Sequence, residues 1–369
     1  MTRELAELRR AIREVDRELQ RAVTRRLELA RAIGRAKQAA GQPVRDYEIE
    51  REVLERWRAE LVARGVAAGR SEELARWMIE EAVRVQDELG EGRPTTSDPT
   101  DILIVGGAGQ MGAWMAGFLE SMGHRVGVVD PRASATSAGP FRVHSDLLRA
   151  AQDADVIVVA TPMRVARSIY RELEKSESEA VVFDILSIKA PIVRAIHRRR
   201  ERHRPVGSVH PLFGPGARSL SGRNLLVLDC GDPASLERIV ALFAPSSLAI
   251  TTVPLDAHDR IMADVLALPH AVSLLFGTAL GGGGRAPAPL GRLAPTSFLR
   301  QAQAARVVAA ENPELSFDIQ TLNPEMGRLY RRIEAAVREL REAVEAGDAN
   351  RYGRLVSTAR DHLEAVGPG

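Results

Sequence analysis

Cysteine and lysine are both scarce in this chain. Cys230 is the only cysteine among 369 residues, so no disulfide can form within the chain, which is typical of a reducing compartment. The N-terminus is charged and no uninterrupted apolar run approaches about 18 residues, so we expect neither a signal peptide nor a membrane span. These absences predict a cytoplasmic protein with no membrane partner.

A strong net charge is also absent. The formal net charge is +2, which excludes a bulk attraction to nucleic acid. The basic residues number 51, and almost all are arginine because the only lysines are Lys37, Lys175 and Lys189. A lysine within an arginine-rich helix is therefore a candidate functional residue, and Lys37 has that position. We expect no metal site.

Hydrophobic periodicity divides the chain into a helical part, an α/β part and a second helical part. In residues 1–90, apolar residues three or four apart predict a long first helix that runs to about Ala39, followed by two shorter helices. The third helix is expected to begin at Ser71, whose side chain suits an N-cap. Residues 91–100 have the Gly- and Pro-rich composition of a linker.

Residues 101–254 alternate apolar, β-branched segments with helical ones. This alternation predicts a mostly parallel Rossmann-type sheet with helices on both faces. The expected strands are 102–106, 125–129, 155–160, 180–185, 206–209, 224–229 and 247–253. Residues 255–369 are helical, so the fold class is multidomain, with an all-α domain, an α/β domain and a second all-α domain.

The first helix is too long to be covered by its own chain. At about 1.5 Å per residue it spans roughly 55 Å, so a partner chain is expected to cover it. Arg26 and Lys37 are eleven residues apart and share one face. Arg9 points about 100° away from Arg26 and lies about 25 Å along the axis, so it can join such a site only in a partner chain. Periodicity alone favours the interpretation that Arg9 and Arg26 are ordinary surface charges on a helix dense with arginine.

Residues 3–89 resemble the all-helical chorismate mutases. The matching positions are Leu8-Arg9, Arg25-Arg26, Gly34 to Lys37, Pro43 to Asp46, Glu50 and Gln86. The resemblance implies an intertwined homodimer with a buried cationic pocket. Arg26 and the partner's Arg9 would bind the substrate carboxylates, and Lys37 and Gln86 would donate to the ether oxygen. Glu50, together with the backbone at Asp46, would take the ring hydroxyl. Ile49 and Ala82 depart from the family pattern.

A glycine-rich turn follows the strand predicted at 102–106. It reads Gly107-Ala108-Gly109-Gln110-Met111-Gly112 and opens a helix, which is the arrangement of a dinucleotide-binding turn. Asp130 ends the next strand at the usual spacing and would bind the ribose hydroxyls, which favours NAD over NADP. Arg132 nearby leaves that preference open. Thr161, after the strand at 155–160, completes the expected cofactor site.

Residues 101–340 resemble the prephenate dehydrogenases. The segments concerned are 184–189, 209–215, 268–271 and 312–319. The resemblance implies that His210 polarises the ring hydroxyl, that Ser187 supports the hydroxyl or His210, and that His270 lines the pocket. Arg306 would hold a carboxylate. Lys189 would help with a phosphate or substrate charge, or cap a helix.

Together the two resemblances imply a bifunctional enzyme of tyrosine biosynthesis. It would rearrange chorismate to prephenate and then oxidise prephenate with NAD to 4-hydroxyphenylpyruvate and carbon dioxide. The helical region 255–369 would contribute to the substrate site and to dimerisation. Two alternatives stay open: a dehydrogenase that prefers arogenate, and a working dehydrogenase attached to a helical module that only dimerises.

Overall fold

The protein's structure is a computed structural model. It describes residues 2–39, 47–87, 98–133, 141–217, 220, 223–246, 248–283 and 293–366. Asp46 and most of the linker predicted at 91–100 lie outside the described residues.

Three helices form the N-terminal part. They are α1 (Thr2–Ala39), α2 (Tyr47–Val62) and α3 (Ala68–Asp87), and α1 ends at the residue that its periodicity predicted. The N-cap predicted at Ser71 is wrong. Ser71 lies inside α3, where its Oγ donates to the carbonyl of Ala67 at 3.1 Å, so the helix begins three residues earlier. The α3 helix packs against both α1 and α2, and it supplies most of the buried apolar residues of this part.

One sheet organises the central part. Its strands are β1 (Asp101–Val105), β2 (Arg125–Val129), β3 (Arg142–His144), β4 (Val156–Val159), β5 (Val181–Asp184), β6 (Val206–Pro211), β7 (Asn224–Asp229) and β8 (Ala249–Pro254). They lie in the order β3-β2-β1-β4-β5-β6-β7-β8, and among the described strands only β6 and β7 pair antiparallel. The mostly parallel sheet is confirmed. The short edge strand β3 was not predicted.

Helices cover both faces of this sheet. They are α4 (Gln110–Ser121), α5 (Leu147–Gln152), α6 (Met163–Leu173), α7 (Val193–Glu201) and α8 (Pro233–Phe243). Successive strand residues point to opposite faces, so Leu103 and Val105 belong to one apolar core and Ile102 and Ile104 to the other. The first of these cores also contains Leu329 and other residues of the C-terminal helices. The C-terminal part therefore packs on that face.

The C-terminal part begins directly at the last strand. Its helices are α9 (Leu255–Met262), α10 (Leu268–Gly282), α11 (Thr296–Ala309), α12 (Pro313–Leu322), α13 (Met326–Glu345) and α14 (Ala349–Val366). A π-helical turn at Ala263–Ala267 joins α9 to α10 without a break. By length and composition alone, this segment, Leu255–Gly282, is apolar enough to cross a membrane. It also carries the buried polar residues His258, Asp259 and His270.

Candidate active sites

The glycine turn after β1 closes in a way that only glycine permits. Gly106 has a φ of 95°, and a Cβ there would lie 2.6 Å from the carbonyl oxygen of Ala160. A Cβ on Gly112 would lie 2.2 Å from the carbonyl oxygen of Gly106. The left-handed residue of the turn is thus Gly106, one position before the predicted motif. Gly107 and Gly109 continue the turn into the N-terminus of α4, which can accept a pyrophosphate.

Asp130 lies beside this turn, where the sequence predicted it. The carboxylate is buried at the end of β2 and accepts the amide of Ala108 at 3.1 Å and the amide of Arg132 at 2.8 Å. The guanidinium of Arg132 is largely exposed, and its Nε lies 3.5 Å from Asp130 Oδ1. The turn therefore has a buried carboxylate and one exposed cation close together.

The other predicted cofactor residues surround the same turn. Thr161 follows β4, and its backbone nitrogen is 3.0 Å from the point where a Cβ on Gly106 would sit. Its Oγ1 is buried and has no hydrogen-bond partner among the described residues. Gln110 is exposed and Met111 half-buried at the start of α4. An unsatisfied buried hydroxyl beside a glycine turn fits a site that a dinucleotide completes.

Candidate catalytic residues lie at the same edge of the sheet. The strands β1, β4, β5 and β6 run parallel, so their carboxyl ends share one edge. The glycine turn follows β1, Ser187 lies just beyond β5 and is half-buried, and His210 lies near the end of β6. This edge therefore combines the cofactor turn with the predicted catalytic histidine.

His210 belongs to a buried chain of polar side chains. Its Nδ1 lies 3.0 Å from Nε2 of His258, and Nδ1 of His258 lies 2.8 Å from Oδ1 of Asp259. All three residues are buried. Neither His258 nor Asp259 was predicted from the sequence. Their signal was weak, because an adjacent His-Asp pair on a helix has no spacing that distinguishes it from a surface pair.

Burial determines the protonation state of His210 and His258. It lowers the pKa of His210 well below the ordinary histidine value, and the nearby Lys189 and His258 act in the same direction. Burial also lowers the pKa of His258, although the hydrogen bond to Asp259 opposes the shift. Both imidazoles are therefore neutral near pH 7.

Lys189 has a role different from those the sequence suggested. It is fully buried, and its Nζ donates to Asp184 Oδ1 at 2.6 Å and to the carbonyl of Val209 at 2.8 Å. Both partners belong to strands β5 and β6, so the Nζ caps no helix. Lys189 instead ties the ends of β5 and β6 together, directly beside His210.

The predicted residues on the C-terminal helices are less closely grouped. His270 is buried on α10, with Nε2 3.6 Å from Glu311 Oε2, and its Nδ1 has no hydrogen-bond partner among the described residues. Arg306 is exposed on α11. Among the contacts of the described residues, none joins Arg306 to His210 or His270. A carboxylate-binding role for Arg306 therefore stays a prediction.

A second cluster of predicted residues lies in the three N-terminal helices. Arg26 is half-buried on α1, and its Nη1 donates to the carbonyl of Met78 on α3 at 2.6 Å. Burial, followed by the nearby Arg56, lowers the pKa of Arg26. Glu50 and Gln86 are buried and Lys37 is half-buried. The helices thus hold several polar groups in their interior, two of them cationic.

Arg9 lies far from this cluster. It is exposed on α1, as are the apolar residues around it. Those residues are between 48% and 61% exposed: Leu5, Leu8, Ile12, Val15 and Leu19. Of the two departures from the family pattern, Ile49 is exposed and Ala82 half-buried. The single chain therefore leaves the N-terminal half of α1 uncovered.

Three family models match the chain in succession. Residues 8–87 match chorismate mutase type II. Residues 115–227 match the nucleotide-binding domain of prephenate dehydrogenase, and residues 254–358 match its dimerization domain. The nucleotide-binding match begins after the glycine turn, so the case for that turn rests on its geometry.

Individual relatives are similar to most of the chain. The chain is 29% identical over 275 residues to a 4-amino-4-deoxyprephenate dehydrogenase of Streptomyces pristinaespiralis, covering 71% of this chain and 90% of the relative. It is 25% identical over 284 residues to the T-protein of Enterobacter agglomerans, and the match covers 76% of this chain and 72% of the T-protein. A solved prephenate dehydrogenase from A. aeolicus, in complex with hydroxyphenyl propionate and NAD+, superposes with a TM-score of 0.59 at 20% identity. The superposition covers 73% of this chain and 100% of the A. aeolicus chain, so the two proteins share the fold.

Proposed function

The chain belongs to the bifunctional chorismate mutase/prephenate dehydrogenases of tyrosine biosynthesis, and we propose how its parts divide the two reactions. Residues 1–90 rearrange chorismate to prephenate. Residues 101–254 bind NAD, and together with residues 255–369 they oxidise prephenate to 4-hydroxyphenylpyruvate with release of carbon dioxide. The observation that carries the dehydrogenase assignment is the buried, neutral His210 at the sheet edge that also bears the glycine turn.

The dehydrogenase reaction needs a hydrogen-bond acceptor at the ring hydroxyl. NAD, when bound, supplies the hydride acceptor. His210 takes the hydroxyl hydrogen bond through Nε2, which increases electron density on the oxygen as hydride leaves the same carbon and the ring carboxylate departs as carbon dioxide. The product retains the hydroxyl as a phenol, so His210 returns its share of the proton. Ser187 and His270 line the site, and Arg306 binds a carboxylate.

The rearrangement needs neither a nucleophile nor a base. It needs a compact reactant conformer and donors fixed where negative charge grows on the breaking C–O bond. Arg26 and the partner's Arg9 hold the carboxylates, and Lys37 and Gln86 donate to the ether oxygen. Glu50 and the backbone at Asp46 hold the ring hydroxyl.

A homodimer completes the mutase site. The exposed apolar residues of α1 need a cover, and Arg9 lies about 25 Å from Arg26 along the same helix. We propose that a second chain covers this face and carries its Arg9 to the site. The apolar outer face of α10, which includes Leu274 and Leu275, forms the second contact between the subunits, in line with the dimerization-domain match.

A specific likeness supports a second substrate candidate. The Streptomyces relative is named for a substrate that carries an amino group where prephenate carries its ring hydroxyl. A neutral imidazole accepts a hydrogen bond from either group, so His210 does not by itself exclude an amino analogue. Arogenate, which differs from prephenate in its side chain, is the third candidate.

Two assays on the full chain test the proposed function. Without NAD, we expect chorismate to be consumed and prephenate to accumulate. The loss of chorismate is measured by its ultraviolet absorbance. Adding NAD is then expected to produce NADH and 4-hydroxyphenylpyruvate. Prephenate, arogenate and 4-amino-4-deoxyprephenate are compared at equal concentration. No chorismate loss would show that residues 1–90 only dimerise, and a higher kcat/KM for another substrate would replace prephenate as the dehydrogenase substrate.

The position of Asp130 predicts the cofactor preference. A buried carboxylate at the glycine turn accepts ribose hydroxyls and repels a 2′-phosphate, so we expect a higher kcat/KM with NAD than with NADP. Asp130→Ala is expected to lower the ratio of kcat/KM with NAD to kcat/KM with NADP. Adding Arg132→Ala to that variant is expected to restore part of the ratio, because it removes the cation that a 2′-phosphate would contact. Equal kcat/KM values for both cofactors in the unmutated chain would contradict the role given to Asp130.

A further inference from the structure

The buried chain of His210, His258 and Asp259 has a direction that can be determined from its ends. Asp259 also accepts the backbone amides of Lys189 at 2.8 Å and Ala190 at 2.7 Å. Burial alone would raise the pKa of Asp259, but the hydrogen bonds from His258 and these amides lower it. Asp259 is therefore an ionised carboxylate, and it can only accept hydrogen bonds.

The protons of the two imidazoles follow from that carboxylate. His258 must donate its Nδ1–H to Asp259, and because the ring is neutral its Nε2 is left as an acceptor. His210 must then donate its own Nδ1–H to His258. In a neutral imidazole this leaves Nε2 of His210 without a proton. The hydrogen-bond network thus determines which nitrogen of each ring carries the proton.

We propose that His258 and Asp259 are positioning residues that fix His210 in the tautomer whose Nε2 can accept the substrate's hydrogen bond. The proposal rests on the proposed dehydrogenase function and adds two residues to it. The opposite tautomer would present an N–H to the ring hydroxyl and could not take its proton. When His210 shares that proton, the positive charge that develops is stabilised through His258 by the Asp259 carboxylate.

The relay formed by His210, His258 and Asp259 is held in place at both of its ends. Asp259 is held by two amides from the segment that follows Ser187, and His210 lies in the central part of the sheet. Lys189 and Asp184, which also act on the pKa of His258, form a buried ion pair with each other. The Asp259 contacts also hold the loop after β5 against α9, so one carboxylate fixes both the tautomer and the loop that carries Ser187.

The wild-type tautomer provides a test that needs no variant. The full chain is labelled with ¹⁵N-histidine, and His210→Asn assigns the His210 ring signals. We expect Nδ1 of His210 to be protonated and Nε2 to be unprotonated at pH 7. A protonated Nε2 in the unmutated chain would overturn the proposal, whatever substrate the dehydrogenase prefers.

Two replacements of His258 separate positioning from packing. His258→Phe retains a ring but removes both nitrogens, so we expect the Nε2–H tautomer of His210 to become populated. The kcat for prephenate oxidation is expected to fall by about 10- to 100-fold, the effect of losing one buried hydrogen bond to a reacting group. His258→Gln has an amide NH2 that can donate to Asp259 and a carbonyl oxygen that can accept from His210, so it can keep the order of the relay and is expected to recover part of the loss.

The outcomes distinguish the relay from the function on which it rests. An unchanged His210 tautomer in His258→Phe, or equal losses in the Phe and Gln variants, would overturn the positioning role. Circular dichroism and the thermal unfolding of the same preparations serve as the control for folding, and mutase activity is expected to stay unchanged because His258 has no part in that site. If the unmutated chain oxidised none of the three substrates, the dehydrogenase assignment would fail while the tautomer measurement still decided the geometry.

Discussion

Replacing His210 with asparagine is expected to lower prephenate oxidation by about 10²- to 10⁴-fold and to leave the chorismate rearrangement unchanged. Asparagine keeps a polar group of similar size and can still donate to His258. It has no atom at the position of Nε2 that could accept a proton. The measurement is kcat for NADH formation from prephenate, together with kcat for chorismate loss in the same preparation.

A matched control separates this effect from a general loss of histidine. His362 is exposed on α14 in the same part of the chain, and His362→Asn is expected to leave both activities unchanged. If His210→Asn oxidised prephenate at the normal rate, His210 would be a structural residue. If it removed both activities while circular dichroism showed an intact fold, the two reactions would have to share one site or use two tightly coupled sites.

The pH dependence of the dehydrogenase follows from the same residue. Burial, with Lys189 and His258 adding to it, lowers the pKa of His210 well below 6.5. The neutral form accepts the hydrogen bond, so kcat is expected to stay constant near pH 7 and to fall only as the pH drops through that lowered pKa. This acid limb is expected to disappear in His210→Asn. As the pH falls, His210 is protonated in the unfolded chain before it is protonated in the folded chain. The free energy of unfolding is therefore expected to decrease as the pH falls below about 6.5.

The sheet could be predicted largely from local sequence, and the reason for the one missed strand is physical. Buried parallel strands consist of β-branched runs such as Val156–Val159, which periodicity identifies easily. The edge strand Arg142–His144 has three residues, only partly buried, so it has no run to recognise. Ser71 was misplaced because its Oγ is satisfied by the carbonyl four residues earlier, so this serine lies within a helix although serine usually favours the N-cap.

The active-site residues divide in the same way. The glycine turn and Asp130 follow a spacing rule, so sequence could locate them. The relay could not be found in that way, because His210 on β6 and His258 on α9 are 48 residues apart in the sequence and meet only in the folded chain. The residue type of Lys189 suggests a ligand contact, but its complete burial with Asp184 shows a structural role.

Lys37→Ala is expected to reduce chorismate rearrangement by at least about 10²- to 10³-fold, the usual loss for one donor to a developing negative charge. Lys37 is half-buried on the face of α1 that also carries Arg26. Oxidation of supplied prephenate is expected to continue at the normal rate, because the two sites share no residue. Loss of both activities in a folded Lys37→Ala protein would contradict the two-site arrangement.

Mixed dimers test whether each mutase site contains residues of both chains. Chains carrying Arg9→Ala and Lys37→Ala, each with a different affinity tag, are co-expressed and the heterodimer is purified. One site then has Lys37 from the first chain and the partner's Arg9 intact, while the other site lacks both, so roughly half of the normal mutase activity is expected to return.

The matched control pairs Lys37→Ala with Arg26→Ala. Those two residues belong to one site on one chain, so every site in that heterodimer lacks one of them and no recovery is expected. Equal recovery in the two heterodimers, or none in either, would show that Arg9 does not act across the interface.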